Sequence, residues 1–292
     1  MITLGLDTET KGGAVYIQNG THNFEKCIFS NNFGRFCVHG YGGAVYSNLS
    51  DTTFSNCGFI ENSGVSTKVY FSGISVGDVE GGAIYSSESN LSLVNCIFHS
   101  NSAIKGGAIY FSNQSRQTDL TVTNCTLTEN SAINYINKYF TNSNTSSHGG
   151  GIYILTLTAS NINIANSILI DNIDGTLSEG NIYAENMSTA DINIHNCING
   201  RKYDSSYYFN YPTRINSWLF VGDQPLFQQS HLYSCIPNYS NPHVIRYIVN
   251  KADKGKYNAT YPKTDYYKNP RFIWGPTTLD VGAVQRVAYK RC

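Results

Sequence analysis

Residues Gly81–Tyr85 read GGAIY, and fifteen residues after Gly81 stands Cys96, which opens the run CIFHSN ending at Asn101. The same pair of motifs recurs along the chain. GGAVY begins at Gly12 and Gly42, GGAIY again at Gly106, GGIY at Gly150 and a degenerate GNIY at Gly180, with steps of 30, 39, 25, 44 and 30 residues. Cys27, Cys57 and Cys96 follow their Gly pairs by 15 residues and Cys125 by 19, while Ser167 and Cys197 follow theirs by 17. Two positions further on comes Phe29, Phe59, Phe98, Leu127 or Leu169, and three beyond that Asn32, Asn62, Asn101, Asn130 or Asn172. A fixed order of motifs joined by elastic connections is the mark of a stacked repeat, in which each unit is one small module.

Each unit reads as three short strands. Ahead of the cysteine, apolar residues alternate, as in Leu91 and Leu93, Leu120 and Val122, Ile162 and Ile164, and Ile192 and Ile194. After it they occupy the cysteine position and the second residue beyond. The two-residue phase therefore slips by one just before the cysteine, and a strand changes phase only at a corner or bulge. The residue at the slip is Asn56, Asn95, Asn124, Asn166 or Asn196, with Lys26 in the first unit. Asparagine tolerates a left-handed corner and can bond to its copy in the next coil. The Gly-Gly segment supplies the remaining strand. Coils stacked at ~4.8 Å pair each strand with its own copies, and only in series do they bury an apolar face. The expected fold is all-β, a right-handed parallel β-helix. Residues 1–200 supply about six recognisable coils, and 201–292 form an irregular capping segment continuous with them.

Composition agrees. The chain of 292 residues holds 33 Asn, 26 Gly and 22 Tyr, a mix suited to turns and stacked ladders rather than long helices. Charged residues are 14% and cancel to zero, which leaves no basic footprint for nucleic acid. No apolar run approaches the ~18 residues of a transmembrane helix. All seven prolines lie between Pro212 and Pro276, outside the coils, because proline cannot donate to a strand ladder.

The combination of GGA[IV]Y and C-x-F-x-x-N over residues 11–200 resembles the repeats of chlamydial polymorphic outer-membrane proteins and related autotransporter passengers. The segments GDQPLF from Gly222 and NPRFIWGPTTLDVGAVQ from Asn269 resemble the terminal choice-of-anchor Q module of bacterial surface β-helix proteins, with Gln285 where that module closes on Glu. Both resemblances imply a pectate-lyase-like solenoid displayed outside the cell. Repeats of this kind specify fold more than function.

The candidate sites divide by chemistry. The column Cys27, Cys57, Cys96, Cys125 and Cys197 lacks the close spacing of metal ligands, and stacked parallel side chains point the wrong way for disulfides. It reads as a ladder of buried thiols, in which Cys96→Ser is expected to cost roughly 1–3 kcal/mol. Cys235 and Cys292 stand outside the repeats and are candidates for a terminal disulfide. No metal or cofactor is expected. Glycan-cleaving enzymes on this fold cluster carboxylates on one face; here the nearest grouping is Glu61, Glu129 and Asp171, just before the turn Asn, with no recurring basic partner. Lys11, Tyr41, Glu80, Lys105, His148 and Glu179 precede the Gly pairs, and the Glu80–Lys105 neighbours read as support for register.

Two connections, Asn62 to Gly81 and Asn130 to Gly149, are eighteen residues long and leave the same corner two coils apart. They carry Tyr70, Phe71, Tyr135, Tyr139 and Phe140, and insertions on one solenoid face commonly form its binding surface. The expected function is a non-catalytic surface scaffold that recognises a glycan or a protein on another surface. A polysaccharide lyase or hydrolase is the first alternative, and a structural component of a virus or phage particle, at the virion surface, the second. The N-terminal coil is expected to be covered by a second chain or a further segment, since an open strand edge invites aggregation.

Overall fold

The computed structural model describes residues 9–33, 39–64, 78–133, 147–175, 180–185, 190–195 and 197–200, together with the short strands Arg214–Ile215 and Trp218–Leu219. Three parallel sheets form the walls of one tube. Sheet I contains Val15–Gln18, Val45–Asn48, Ile84–Ser87, Ile109–Asn113, Ile152–Thr156 and Ile182–Glu185. Sheet II contains Thr21–Glu25, Asp51–Ser55, Asn90–Val94, Leu120–Thr123, Ser160–Ala165, Ala190–His195 and Arg214–Ile215. Sheet III contains Ile28–Ser30, Gly58–Ile60, Ile97–His99, Thr126–Thr128, Ile168–Ile170, Cys197–Gly200 and Trp218–Leu219.

Pairing puts like on like. Tyr85 sits between Tyr46 and Tyr110, and Phe98 between Phe59 and Leu127. A minor column of short strands, Glu9–Lys11, His39–Tyr41 and Val79–Glu80, precedes the Gly pairs and continues through bridges from Glu80 to Lys105 and on to His148. The last two strands pair with Asn193–Ile194 and Cys197–Ile198, so coil stacking runs past the boundary expected at residue 200. The rest of 201–292 lies outside the described residues.

The phase slip seen in the sequence is a corner. Lys26, Asn56, Asn95, Asn124 and Asn166 all have φ between 52° and 57°, the left-handed region in which asparagine is enriched. Asn196 lies outside the described residues. A second left-handed corner, at Asn31, Glu61, Ser100, Glu129 and Asp171, closes sheet III. The Gly pair makes the third turn, and its two members do different work. Gly42 has φ of +70°, and a Cβ there would lie 2.0 Å from the Val45 carbonyl oxygen; a Cβ on Gly43 would lie 2.1 Å from the Gly82 oxygen of the next coil. In the fifth coil the motif aligns one residue earlier than the GGIY reading. Gly149 takes the left-handed position and Ile152 pairs with Ile109, which leaves Gly151 in the place of alanine.

The four extra residues of the fourth coil form a turn gripped by Glu88, whose carboxylate accepts the backbone N–H of Gln114 (2.6 Å) and Arg116 (2.7 Å). Inside the tube, Phe29, Phe59 and Phe98 stack at centroid separations of 4.9 and 4.6 Å. Leu91, Leu93, Leu120, Val122, Ile162 and Ile164 pack opposite them in the same core.

Candidate functional site

Because Val45, Ile84, Ile109 and Ile152 face the core, the tyrosines next to them in sequence project from the outer face of sheet I. Tyr16, Tyr46, Tyr85, Tyr110, Tyr153 and Tyr183 form one continuous stack with centroids 5.1–5.2 Å apart. The minor column lies against this stack with an offset of one coil. Lys11 Nζ sits 5.7 Å from the centre of the Tyr46 ring and Lys105 Nζ 5.8 Å from that of Tyr153. Tyr41 tilts against Tyr85 at 5.1 Å, and His148 stacks on Tyr183 at 4.2 Å. Glu80 fills the same slot beside Tyr110, and each of the two groups shifts the proton affinity of the other.

Glu80 is the unusual member. It is 7% exposed, with Lys105 Nζ 3.5 Å from Oε1. The same ammonium lies 3.6 Å from Asp78 Oδ1. Burial pushes the Glu80 carboxyl up to about 7, and Lys105 only partly opposes it. Burial, followed by the Glu80 charge, also holds the Tyr85 and Tyr110 hydroxyls well above the usual phenol range. At Tyr153 burial acts first and its hydrogen bond to Glu185 second. The result is a half-dry strip of rings, carboxylates and ammonium groups, in which Glu80 can hold or release a proton near neutral pH.

The other predicted residues sit elsewhere. Glu61 and Glu129 are exposed on the left-handed corner after sheet III, and Asp171 continues that column one coil beyond Glu129. Tyr70, Phe71, Tyr135, Tyr139 and Phe140 lie outside the described residues, but their anchors are placed. The first insertion leaves after Gly64, whose N–H donates to the Ser102 oxygen (3.0 Å), and returns at Asp78, whose N–H donates to His39 Nδ1 (3.1 Å). The second leaves after Ile133 and returns at Ser147, with Ile133 N–H bonded to the Ala103 oxygen (2.9 Å). Both insertions thus end on the minor column that borders the tyrosine stack.

Cys57, Cys96, Cys125 and Cys197 are buried and Cys27 partly so, and none of the five is in a disulfide. The Cys96 thiol donates to the Val94 and Phe54 carbonyl oxygens, both at 3.4 Å. Burial pushes Cys96 up and carries Cys197 up to about 12. Cys235 and Cys292 lie outside the described residues. Among the described residues no three His, Cys, Asp or Glu side chains gather as a metal site.

Sequence reading placed the hydrogen-bonded ladder on the corner asparagines, where Asn95 Nδ2 donates to Asn56 Oδ1 at 3.2 Å. The longer ladder is the column five residues after the cysteine. Asn32, Asn62, Asn101, Asn130 and Asn172 each donate Nδ2 to the Oδ1 of the next, ending on Asn181, over 2.6–2.9 Å. The second Nδ2 hydrogen of Asn62, Asn101, Asn130 and Asn172 goes to the carbonyl of Phe29, Phe59, Phe98 and Leu127 in the coil before. The signal was the invariant spacing from cysteine, which marked the position but not which asparagine points inward.

Residues 8–142 match a family model described as right handed beta helix region. With the parallel sheets stacked in register, the described coils have the right-handed parallel β-helix fold expected from the repeats. No curated protein and no solved structure matched it in the same comparisons. No helix among the described residues is long and apolar enough to cross a membrane.

Proposed function

We propose that this β-helix is a non-catalytic scaffold that displays a recognition surface on the sheet I flank, for a glycan or protein carried on another surface. The observation that carries the reading is the common origin of the two long insertions, which end at Asp78 and Ser147 on the minor column. Stacked rings spend their π faces on one another, so the tyrosine column serves as a stiff base and the insertions present the contacts. Their residues Tyr70, Phe71, Tyr135, Tyr139 and Phe140 are aromatic side chains of the kind enriched in such contacts. Display outside the cell rests on the resemblance of the repeats to autotransporter passengers. The test is to replace residues 65–77 with a short Gly-Ser link and screen both proteins on glycan arrays and intact cell surfaces. Binding by the parent that disappears in the replacement, with β-sheet circular dichroism unchanged, is the expected result; equal binding by both sinks the reading.

One observation favours an enzyme instead. Glu80, with its raised proton affinity beside Asp78 and Lys105, has the environment of a general acid or base. It is a better candidate than Glu61, Glu129 or Asp171. Release of reducing or unsaturated sugar ends from mixed polysaccharides, abolished in Glu80→Gln, would establish that alternative.

A further inference from the structure

Sheet III has an outer face that is too dry and too apolar for solvent. Cys96 and Phe98 point into the core, so Ile97 and His99 point out. One wall of a solenoid ordinarily meets water through polar side chains. Here Ile97 is 3% exposed, Thr126 1%, Ile168 0%, Ile60 9% and Ile170 5%. Their counterpart in the first coil, Ile28, is 67% exposed. A roof therefore covers this wall from the second coil to the fifth and stops short of the first. Sheets I and II are other walls of the same tube and cannot supply it.

We infer that the outer face of sheet III is the docking surface for the chain's own C-terminal segment, residues 220–292. Three observations select that occupant. The last described strand, Trp218–Leu219, pairs into sheet III itself, so the chain leaves from the end of the wall that is roofed. The 73 residues that follow are ample, because four coils span ~20 Å and an extended chain crosses that in about six residues. They include six of the seven prolines, which disfavour further coils, and twelve Phe, Tyr or Trp side chains, which suit a flat surface of isoleucine and threonine. The inference is independent of the recognition reading. It assigns the sheet III wall to the chain itself, so that an outside partner has to use another flank.

Photo-cross-linking in the full chain tests it. A benzophenone amino acid replaces His99, on the half-buried outer column, and as a control Ser30, its exposed counterpart in the first coil. Peptide mapping should place the His99 adducts within 220–292 and find none from Ser30. Adducts in 65–77 or 134–146, adducts between two copies, or no adduct at all from position 99 would overturn the assignment. A second measurement avoids the bulky probe. Ile168→Asp should raise protease cleavage within 220–292 by roughly tenfold or more while the coils stay resistant, and unchanged cleavage there would also overturn it.

Discussion

Asn90 donates an Nδ2 hydrogen to Asp51 Oδ1 across 2.7 Å between the second and third coils. The bond belongs to a column that alternates Asp51, Asn90, Asp119, Asn161 and Asp191 at the start of sheet II. Asn90 Oδ1 accepts the Asp119 N–H at 2.8 Å, and Asn161 donates both its N–H and an Nδ2 hydrogen to Asp119 Oδ1. Strict stacking would place carboxylates about one strand spacing apart, and alternation with amides prevents this. Asn90→Asp would set three carboxylates in a row and remove a charge-assisted bond. It should cost about 1–3 kcal/mol in low salt and less at high ionic strength. Urea unfolding at two salt concentrations measures both quantities, and a variant as stable as the parent in low salt would show that the alternation carries no energy.

Asn101 offers a harsher test of a ladder. Its side chain joins Asn62 Nδ2, Asn130 Oδ1 and the Phe59 carbonyl, and its Oδ1 also accepts the Asn62 N–H. Asn101→Leu fits the volume but strands buried groups on both neighbouring coils, each worth ~1–3 kcal/mol. The expected loss is roughly 3 kcal/mol or more, read as a lower urea midpoint with an unchanged slope. A loss under about 1 kcal/mol would mean that water enters the ladder.

Much of this was legible in the sequence because stacking in register turns spacing into geometry. The phase slip at Asn56, Asn95, Asn124 and Asn166 locates a corner from spacing alone, and the left-handed φ values of these residues match it. The columns of Cys96, Phe98 and Tyr85 followed from the same count. What spacing does not carry is direction and offset. Nothing in the repeat says that Lys105 reaches Tyr153 of the next coil rather than Tyr110 of its own, so spacing alone reads Glu80 and Lys105 only as neighbours that support register. Nor does it announce that Ile97 and Ile168, apolar yet outward, are covered.

The thiol ladder should tolerate oxygen better than its burial suggests. Ser167 already occupies the column, accepting the Cys125 N–H at 3.1 Å and donating to the Ala165 carbonyl at 2.9 Å. Cys96 likewise has carbonyl oxygens within reach, those of Val94 and Phe54, so Cys96→Ser is expected to fall at the low end of the roughly 1–3 kcal/mol range, at about 1 kcal/mol. Cys96 and Cys197 should also resist alkylation at pH 8 in the native protein. Burial holds Cys197 at about 12 and keeps Cys96 protonated, and the thiolate is the reactive form. Rapid native labelling at either site, located by peptide mapping, would contradict the interior placement.

Glu80 should make stability depend on pH in a defined direction. Its carboxyl is raised from 4.5 when unfolded to about 7 when folded, by burial against Tyr110 and Tyr85 and by Asp78, with Lys105 opposing. The folded state therefore holds this proton more tightly than the unfolded chain does. The resulting stabilisation is fully present below pH 4.5 and is lost as pH rises through 7. Tyr41 also faces the site, but its hydroxyl is raised and stays neutral throughout this window. Glu80→Gln cannot ionise, so its stability relative to the parent should improve between pH 4.5 and 8 by up to about 3 kcal/mol. Lys105 gives up its closest carboxylate in the variant but keeps Asp78 at 3.6 Å, which limits the offset that is independent of pH. Urea midpoints for both proteins at pH 4, 6 and 8 measure the change. A constant difference across that range would mean that Glu80 titrates in the folded protein as it does in water, and that the strip beneath the tyrosines is wetter than its geometry indicates.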